Sequence, residues 1–170
     1  MRPENLKAHR VADAEAIITT NLLGPMRLTA ALVPHLLKQP CSAIINVSSG
    51  LAFVPFPVTP TYSATKAALH SYTQSLRVQL RETPVEIIEI IPPAVATNLT
   101  PNRSENDPRM MSVHDYIAET MQILKTQPTP AEINVERVKL LRFAEATGSV
   151  DKALEMLAQV ARGDEFWTKT

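Results

Sequence analysis

A chain of 170 residues is long enough to bury a core as one domain, and its 17 basic and 17 acidic side chains cancel, which argues against a nucleic-acid groove or a charged interaction tail. Its single cysteine, Cys41, excludes an intrachain disulfide and, with no acidifying neighbour, reads as a bystander thiol. The apolar stretches, such as residues 28–37, are too short and interrupted for a bilayer span, and no apolar signal region follows the polar start, so a soluble cytoplasmic protein is expected, with no membrane and no nucleic-acid partner.

Residues 12–38 read as one long helix, because Ile17, Leu22, Leu28, Leu32, Val33, Leu36 and Leu37 recur at helical spacing. Asp13 near its start and Lys38 near its end suit the helix dipole, and Pro34 inside it predicts a kink or a tight packing point. Residues 43–48 read as a short, β-branched, buried strand. A proline-rich loop, 50–60, leads to a helix over 61–81 whose small residues Ala64, Ala67, Ala68, Ser71 and Ser75 permit close packing. Residues 85–91 form a second strand, ended by Pro92 and Pro93. Residues 94–111 look irregular. Three helices are then predicted, over 112–126, 130–146 and 150–161. Thr129-Pro130-Ala131-Glu132 supplies a start for the second and Gly148 a break before the third.

A strand, a helix and a second strand of these lengths imply parallel strands joined by a right-handed crossover, hence an α/β fold. Both strands are apolar enough to be central, and two alone would leave unpaired edges. The pattern therefore expects more sheet than it visibly encodes.

The chemical signal is Tyr62-Ser63-Ala64-Thr65-Lys66. A tyrosine and a lysine at i and i+4 on a helix point the same way, and an ammonium beside a phenol favours phenolate over a pKa of about 10. Such a tyrosine can exchange a proton with a substrate oxygen. A Tyr-x-x-x-Lys spacing alone is common in long helices and carries little weight. Ser49 adds weight, because it stands at the end of the first strand, where open α/β sheets place ligands, and its hydroxyl can hydrogen-bond the oxygen that tyrosine protonates. Ser48 competes for that role, and alternation along a strand allows only one of the two to reach the site. His9, His35, His70 and His114 show no metal-ligand spacing, so no metal is expected.

Asn46-Val47-Ser48-Ser49-Gly50 followed by Tyr62-Ser63-Ala64-Thr65-Lys66-Ala67-Ala68-Leu69 resembles the active-site stretch of the short-chain dehydrogenase/reductase family. Thr20-Asn21-Leu22-Leu23-Gly24-Pro25 resembles the family helix that carries its catalytic asparagine, and Pro128–Ile133 with Val135–Lys139 is similar to the branch labelled DltE-type. The resemblance implies a partial Rossmann-like, doubly wound parallel sheet with extra C-terminal helices. Residues 12–100 would be the catalytic core, and 101–170 the substrate loop and helices. It implies a catalytic tetrad of Asn21, Ser49, Tyr62 and Lys66. Tyr62 would be general acid/base, Ser49 would hold the substrate oxygen, Lys66 would tune the phenol and bind the nicotinamide ribose, and Asn21 would position a relay water. Pro92-Pro93-Ala94-Val95-Ala96-Thr97 matches the family segment beside the nicotinamide amide, with Pro93 where the family has glycine. Pro92, Val95 and Thr97 are the implied contacts. The cofactor would be NAD or NADP, the substrate a small carbonyl or alcohol, and the assembly a homodimer through helices 12–38 and 61–81.

The family's opening strand and glycine-rich phosphate loop have no counterpart here. The four glycines, Gly24, Gly50, Gly148 and Gly163, stand too far apart to cradle a pyrophosphate, and the chain reads as beginning just past that segment. Two functions follow as expectations: an NAD(P)-dependent oxidoreductase, or a catalytically impaired truncated fragment or pseudoenzyme that at most dimerises.

Overall fold

The computed structural model describes Pro3, Glu4 and residues 10–99 and 107–163; His9 and the middle of the irregular segment 94–111 lie outside the described residues. The first helical run has three parts: α1 (Val11–Ile18), a π-helical turn (Thr19–Leu23) and α2 (Gly24–Leu36). The turn has a local cause. Pro25 has no N–H to return to the Asn21 carbonyl, and the Gly24 N–H bonds instead to the Thr19 carbonyl, five residues back.

Val11–Leu36, 26 residues in all, is long and apolar enough to cross a bilayer by length and composition alone, a longer run than the stretch read from the sequence. Only 6% of its apolar window is buried, and Val11, Ile18, Leu28 and Leu32 are exposed. Length and composition do not separate a membrane span from a surface helix whose apolar face awaits a partner.

Among the described residues the sheet has three strands, β1 (Ser42–Val47), β2 (Val85–Ile90) and β3 (Glu132–Ile133), in the order β1-β2-β3 and all parallel. The long helix α3 (Pro60–Gln79) connects β1 to β2. Its inner row, Tyr62, Ser63, Thr65, Leu69, Thr73 and Leu76, is buried. Leu76 meets Val85 and Ile87 of β2, with Leu36, Ile44 and Tyr72 around them. Small residues on this row let the helix lie close to the sheet, and its hydroxyls find partners: Asn46 Nδ2 of β1 donates to Thr73 Oγ1 at 2.9 Å.

The third strand was not anticipated. Residues 130–146 carry a helix-like pattern, yet only Lys139–Arg142 is α-helical (α5), preceded by β3 and a 3-10 turn at Glu136–Val138. The proline start and acidic residue that suggest a helix instead feed a strand. The Ala131 carbonyl accepts the Glu89 N–H at 2.9 Å, and the Ile133 carbonyl accepts the Ile91 N–H at 3.1 Å. Ile133 and Val135 are both 1% exposed, the period-two burial of a strand. The open edge of β2 overrides local helix preference.

The helices α4 (Val113–Leu124) and α6 (Val150–Gly163) close the structure. Ser112 caps α4, its hydroxyl accepting the Asp115 N–H at 3.0 Å. Gly148 has φ of 64° and makes the expected break before α6. The far side of the core is Ile91, Val135 and Val138, with Phe53, Met111, Tyr116 and Ile123 packed on them.

Candidate active site

The carboxyl ends of β1 and β2 are stitched together just past the strands. The Ser48 N–H donates to the Ile90 carbonyl at 3.0 Å, and the Gly50 N–H to the Pro92 carbonyl at 3.0 Å. The chain then turns through a 3-10 helix, Gly50–Ala52, capped by Ser49, whose Oγ accepts the Leu51 N–H at 3.1 Å. The turn sits tightly against α5. A Cβ on Gly50 would fall 2.9 Å from Val138 Cγ2 and 3.0 Å from Leu141 Cδ1, so any larger residue would have to push these side chains aside.

Tyr62 enters from the first turn of α3 and is 8% exposed, as is Ser49. Ser49 is the side chain near enough to act on the phenol. Burial is the largest influence on the Tyr62 phenol and raises it above its ordinary 10.0, because phenolate is poorly solvated there. The neighbouring Ser49 side chain works in the opposite direction. With Oγ already accepting from Leu51, the Ser49 hydroxyl proton is left to donate to an oxygen. Ser48, the competitor for this role, is 2% exposed and its Oγ has no partner among the described residues.

Lys66 lies one turn beyond Tyr62, with Nζ 5.6 Å from the phenol ring centroid. It donates to the Val47 carbonyl at 2.8 Å, and burial lowers its pKa below 10.5. Asn21, in the π-helical turn, donates from Nδ2 to Thr65 Oγ1 at 3.3 Å, and that hydroxyl donates to the Tyr62 carbonyl at 2.7 Å. The helical bulge is thus tied to the first turn of α3. The carbonyl of Asn21, deprived of its usual donor by Pro25, belongs to the same corner.

The segment 92–97 continues from β2. Val95 bridges Met111, with the Ala96 N–H donating to the Met111 carbonyl at 2.9 Å. Thr97 is exposed, and its Oγ1 accepts the Leu99 N–H at 3.3 Å. Of the residues singled out in the sequence, Asn21 is tied through Thr65 to Tyr62, Lys66 to the end of β1 at Val47, and Pro92 to the turn of Ser49 through Gly50, while Thr97 stays on the rim.

Two features escaped sequence reasoning. Glu4 reaches the start of α3 and accepts from Thr61. His70 contacts two carboxylates remote in sequence: the His70, Glu89 and Glu132 ligand atoms all lie within 4.8 Å of one another. Linear spacing could not show that group. Its geometry is of a kind that could hold a cation, but Arg142 already grips Glu132 in a bidentate pair at 2.7 and 2.9 Å. The one available signal was that 62, 66, 70 and 74 form a single i, i+4 row.

Comparison with known proteins places this geometry. The short chain dehydrogenase family model matches residues 1–108. The uncharacterized oxidoreductase DltE of Bacillus subtilis is 46% identical over 132 residues, 75% of this chain and 51% of that protein. An uncharacterized oxidoreductase of Staphylococcus epidermidis is 32% identical over 126 residues, 74% of this chain and 54% of that protein. Among solved structures, a short chain dehydrogenase from Burkholderia cenocepacia in complex with NADP superposes with a TM-score of 0.74 at 26% identity, covering 92% of this chain and 64% of that one. The chain spans about half the length of the curated relatives it matches.

Proposed function

The chain belongs to the short-chain dehydrogenase family, and from that premise we propose that its site serves NAD(P)-dependent interconversion of a carbonyl and an alcohol, with Tyr62 moving the proton. One observation carries the reading: Ser49, at the carboxyl end of a parallel strand, and Tyr62, in the first turn of α3, are both nearly buried, with the Ser49 side chain acting on the phenol. A carbonyl oxygen placed between them would accept from both. In reduction, Tyr62 Oη gives its proton to that oxygen as the carbonyl carbon gains hydride, and the product is the alcohol. In oxidation the proton returns to Oη. Ser49 holds the oxygen in either direction.

When bound, the nicotinamide supplies or receives the hydride. The residues present fit that end of the cofactor. Lys66 offers an ammonium beside the phenol for ribose hydroxyls, and Pro92, Val95 and Thr97 line the segment where the carboxamide would lie. Asn21 supports the relay corner, its side chain fixed by Thr65. The pyrophosphate needs closely spaced backbone N–H groups, and the four scattered glycines of these 170 residues do not provide them.

The exposed apolar residues Leu28, Leu32 and Val78 support a homodimer through the helices Val11–Leu36 and Pro60–Gln79. The same faces also fit the second reading, a module that dimerises without turnover.

Titration of NADPH and NADH into the 170-residue protein, followed by thermal shift, separates the two. Micromolar binding of either nucleotide supports the oxidoreductase; its absence for both leaves the dimerising module. Where reductase activity is measured, Tyr62→Phe should lower it by about two orders of magnitude or more, and an unchanged rate would overturn the role given to Tyr62.

A further inference from the structure

Tyr62, Lys66, His70 and Gln74 occupy one row along α3, each a turn beyond the last. The first two belong to the proposed chemistry. The next leads into an ion network that the mechanism does not use.

Glu89 on β2 is 0% exposed, a site where a carboxylate is strongly disfavoured unless paired. His70 Nδ1 meets both of its oxygens, at 3.0 and 2.9 Å. Glu132 of β3 stands directly opposite Glu89 in the sheet register, so two carboxylates share one face of neighbouring strands. Arg142 of α5 answers that repulsion with its fork on Glu132, and its charge also acts on Glu89.

Phe53 lies in the middle. The His70 ring meets it edge-on at a centroid separation of 4.7 Å, and the Arg142 guanidinium lies 4.5 Å from its centroid. Phe53 ends the Gly50–Ala52 turn, its N–H donating to the Gly50 carbonyl at 3.1 Å, and that turn begins at Ser49. One network therefore joins the helix of Tyr62, the two strands that lead into and flank the site, and the turn of Ser49.

Neither ring nitrogen of His70 is left for substrate, since Nε2 lies 2.9 Å from Gln74 Nε2. The cluster is therefore not a second acid/base site, and the Arg142 fork closes it to a cation.

We propose that His70, Glu89, Glu132 and Arg142, closed around Phe53, are positioning residues that fix the Ser49 turn against the first turns of the Tyr62 helix. The inference rests on the acid/base reading of Ser49 and Tyr62 for its purpose, but its test needs neither cofactor nor substrate.

The Leu51 amide, which donates to Ser49 Oγ, reports the turn. In the full chain, His70→Leu should speed hydrogen exchange of the Leu51 and Phe53 amides by about tenfold or more and displace the Tyr62 ring ¹³Cζ resonance. Leu76→Val, a core truncation on the same helix, serves as the control for general loss of stability and should move neither. Phe53→Leu keeps apolar volume while removing the ring that His70 and Arg142 share. It should reproduce the faster exchange, and it carries the test if His70→Leu does not fold. Unchanged Leu51 exchange in Phe53→Leu, or an equal effect in Leu76→Val, overturns the proposal. Nucleotide binding or turnover failing in the wild-type chain would count against the oxidoreductase reading and leave this result standing.

Discussion

Glu4 places one carboxylate oxygen on each donor of Thr61: Oε1 accepts the backbone N–H at 3.1 Å and Oε2 accepts the hydroxyl at 2.6 Å. Thr61 is the residue before Tyr62, at the open N-terminal end of α3, where backbone N–H groups lack helical partners and negative charge is favoured. The Glu4 N–H donates to the Val58 carbonyl at 2.8 Å, so the segment is anchored from both sides. Glu4→Ala should lower stability by about 1 kcal/mol, and Glu4→Gln by less, because the amide oxygen still accepts one bond. Urea denaturation of the three proteins checks the order.

Gly50 makes a second, sharper prediction. Its place against Val138 and Leu141 leaves no room for a methyl group. Val138 is itself 0% exposed and cannot retreat to solvent. Gly50→Ala should cost about 1–3 kcal/mol by overpacking, although the substitution would favour folding in an unconstrained turn. A thermal melt with no loss of stability would refute the close packing.

The Tyr62 phenol fixes an alkaline stability profile. Burial raises its folded value above 10.0, so between 10.0 and that folded value the native state holds a proton that the unfolded chain has released. Stability contributed by this group is complete below pH 10 and falls as pH rises through that window, by at most about 1.4 kcal/mol per pH unit. Tyr62→Phe removes the effect. The stability difference between wild type and variant should be flat from pH 7 to 9 and shift against the wild type above 10. Lys66 has the opposite sign: its lowered folded value makes stability from that group rise as pH climbs toward 10.5.

Leu28 and Leu32 lie one helical turn apart and are 60% and 44% exposed. If α2 forms a homodimer interface, Leu28→Glu with Leu32→Glu should abolish concentration-dependent association in sedimentation velocity. The melting temperature extrapolated to low protein concentration should stay unchanged, because neither side chain contributes to the intrachain core. A monomeric wild type at high concentration would remove the dimer.

How far the sequence revealed this arrangement depended on whether the deciding contact was local. The strand before Ser49, the helix of Tyr62 and the strand before Pro92 are each written in a contiguous pattern, and all three formed within a residue or two of their expected bounds. The stretch Glu132–Ile133 is a strand only because β2 offers it an edge, which no window over 130–146 contains. The two glutamates of β2 make the same point. Glu86 and Glu89 look alike in the sequence, yet Glu86 is exposed and Glu89 fully buried, because successive residues of a strand alternate faces and His70 waits on only one of them. The π-helical turn around Asn21 was legible in principle, since Pro25 visibly lacks the N–H an unbroken helix requires.

The outer edge of β1 has a practical consequence. Among the described residues its six residues pair with β2 on one side only, and Ile45 and Val47 are each 46% exposed. A parallel strand that bares both its backbone groups and its apolar side chains is a template for any extended chain of similar character. Refolding yield should therefore fall as protein concentration rises even where melting temperature does not. Solubility, more than thermal stability, will report whether that edge is occupied.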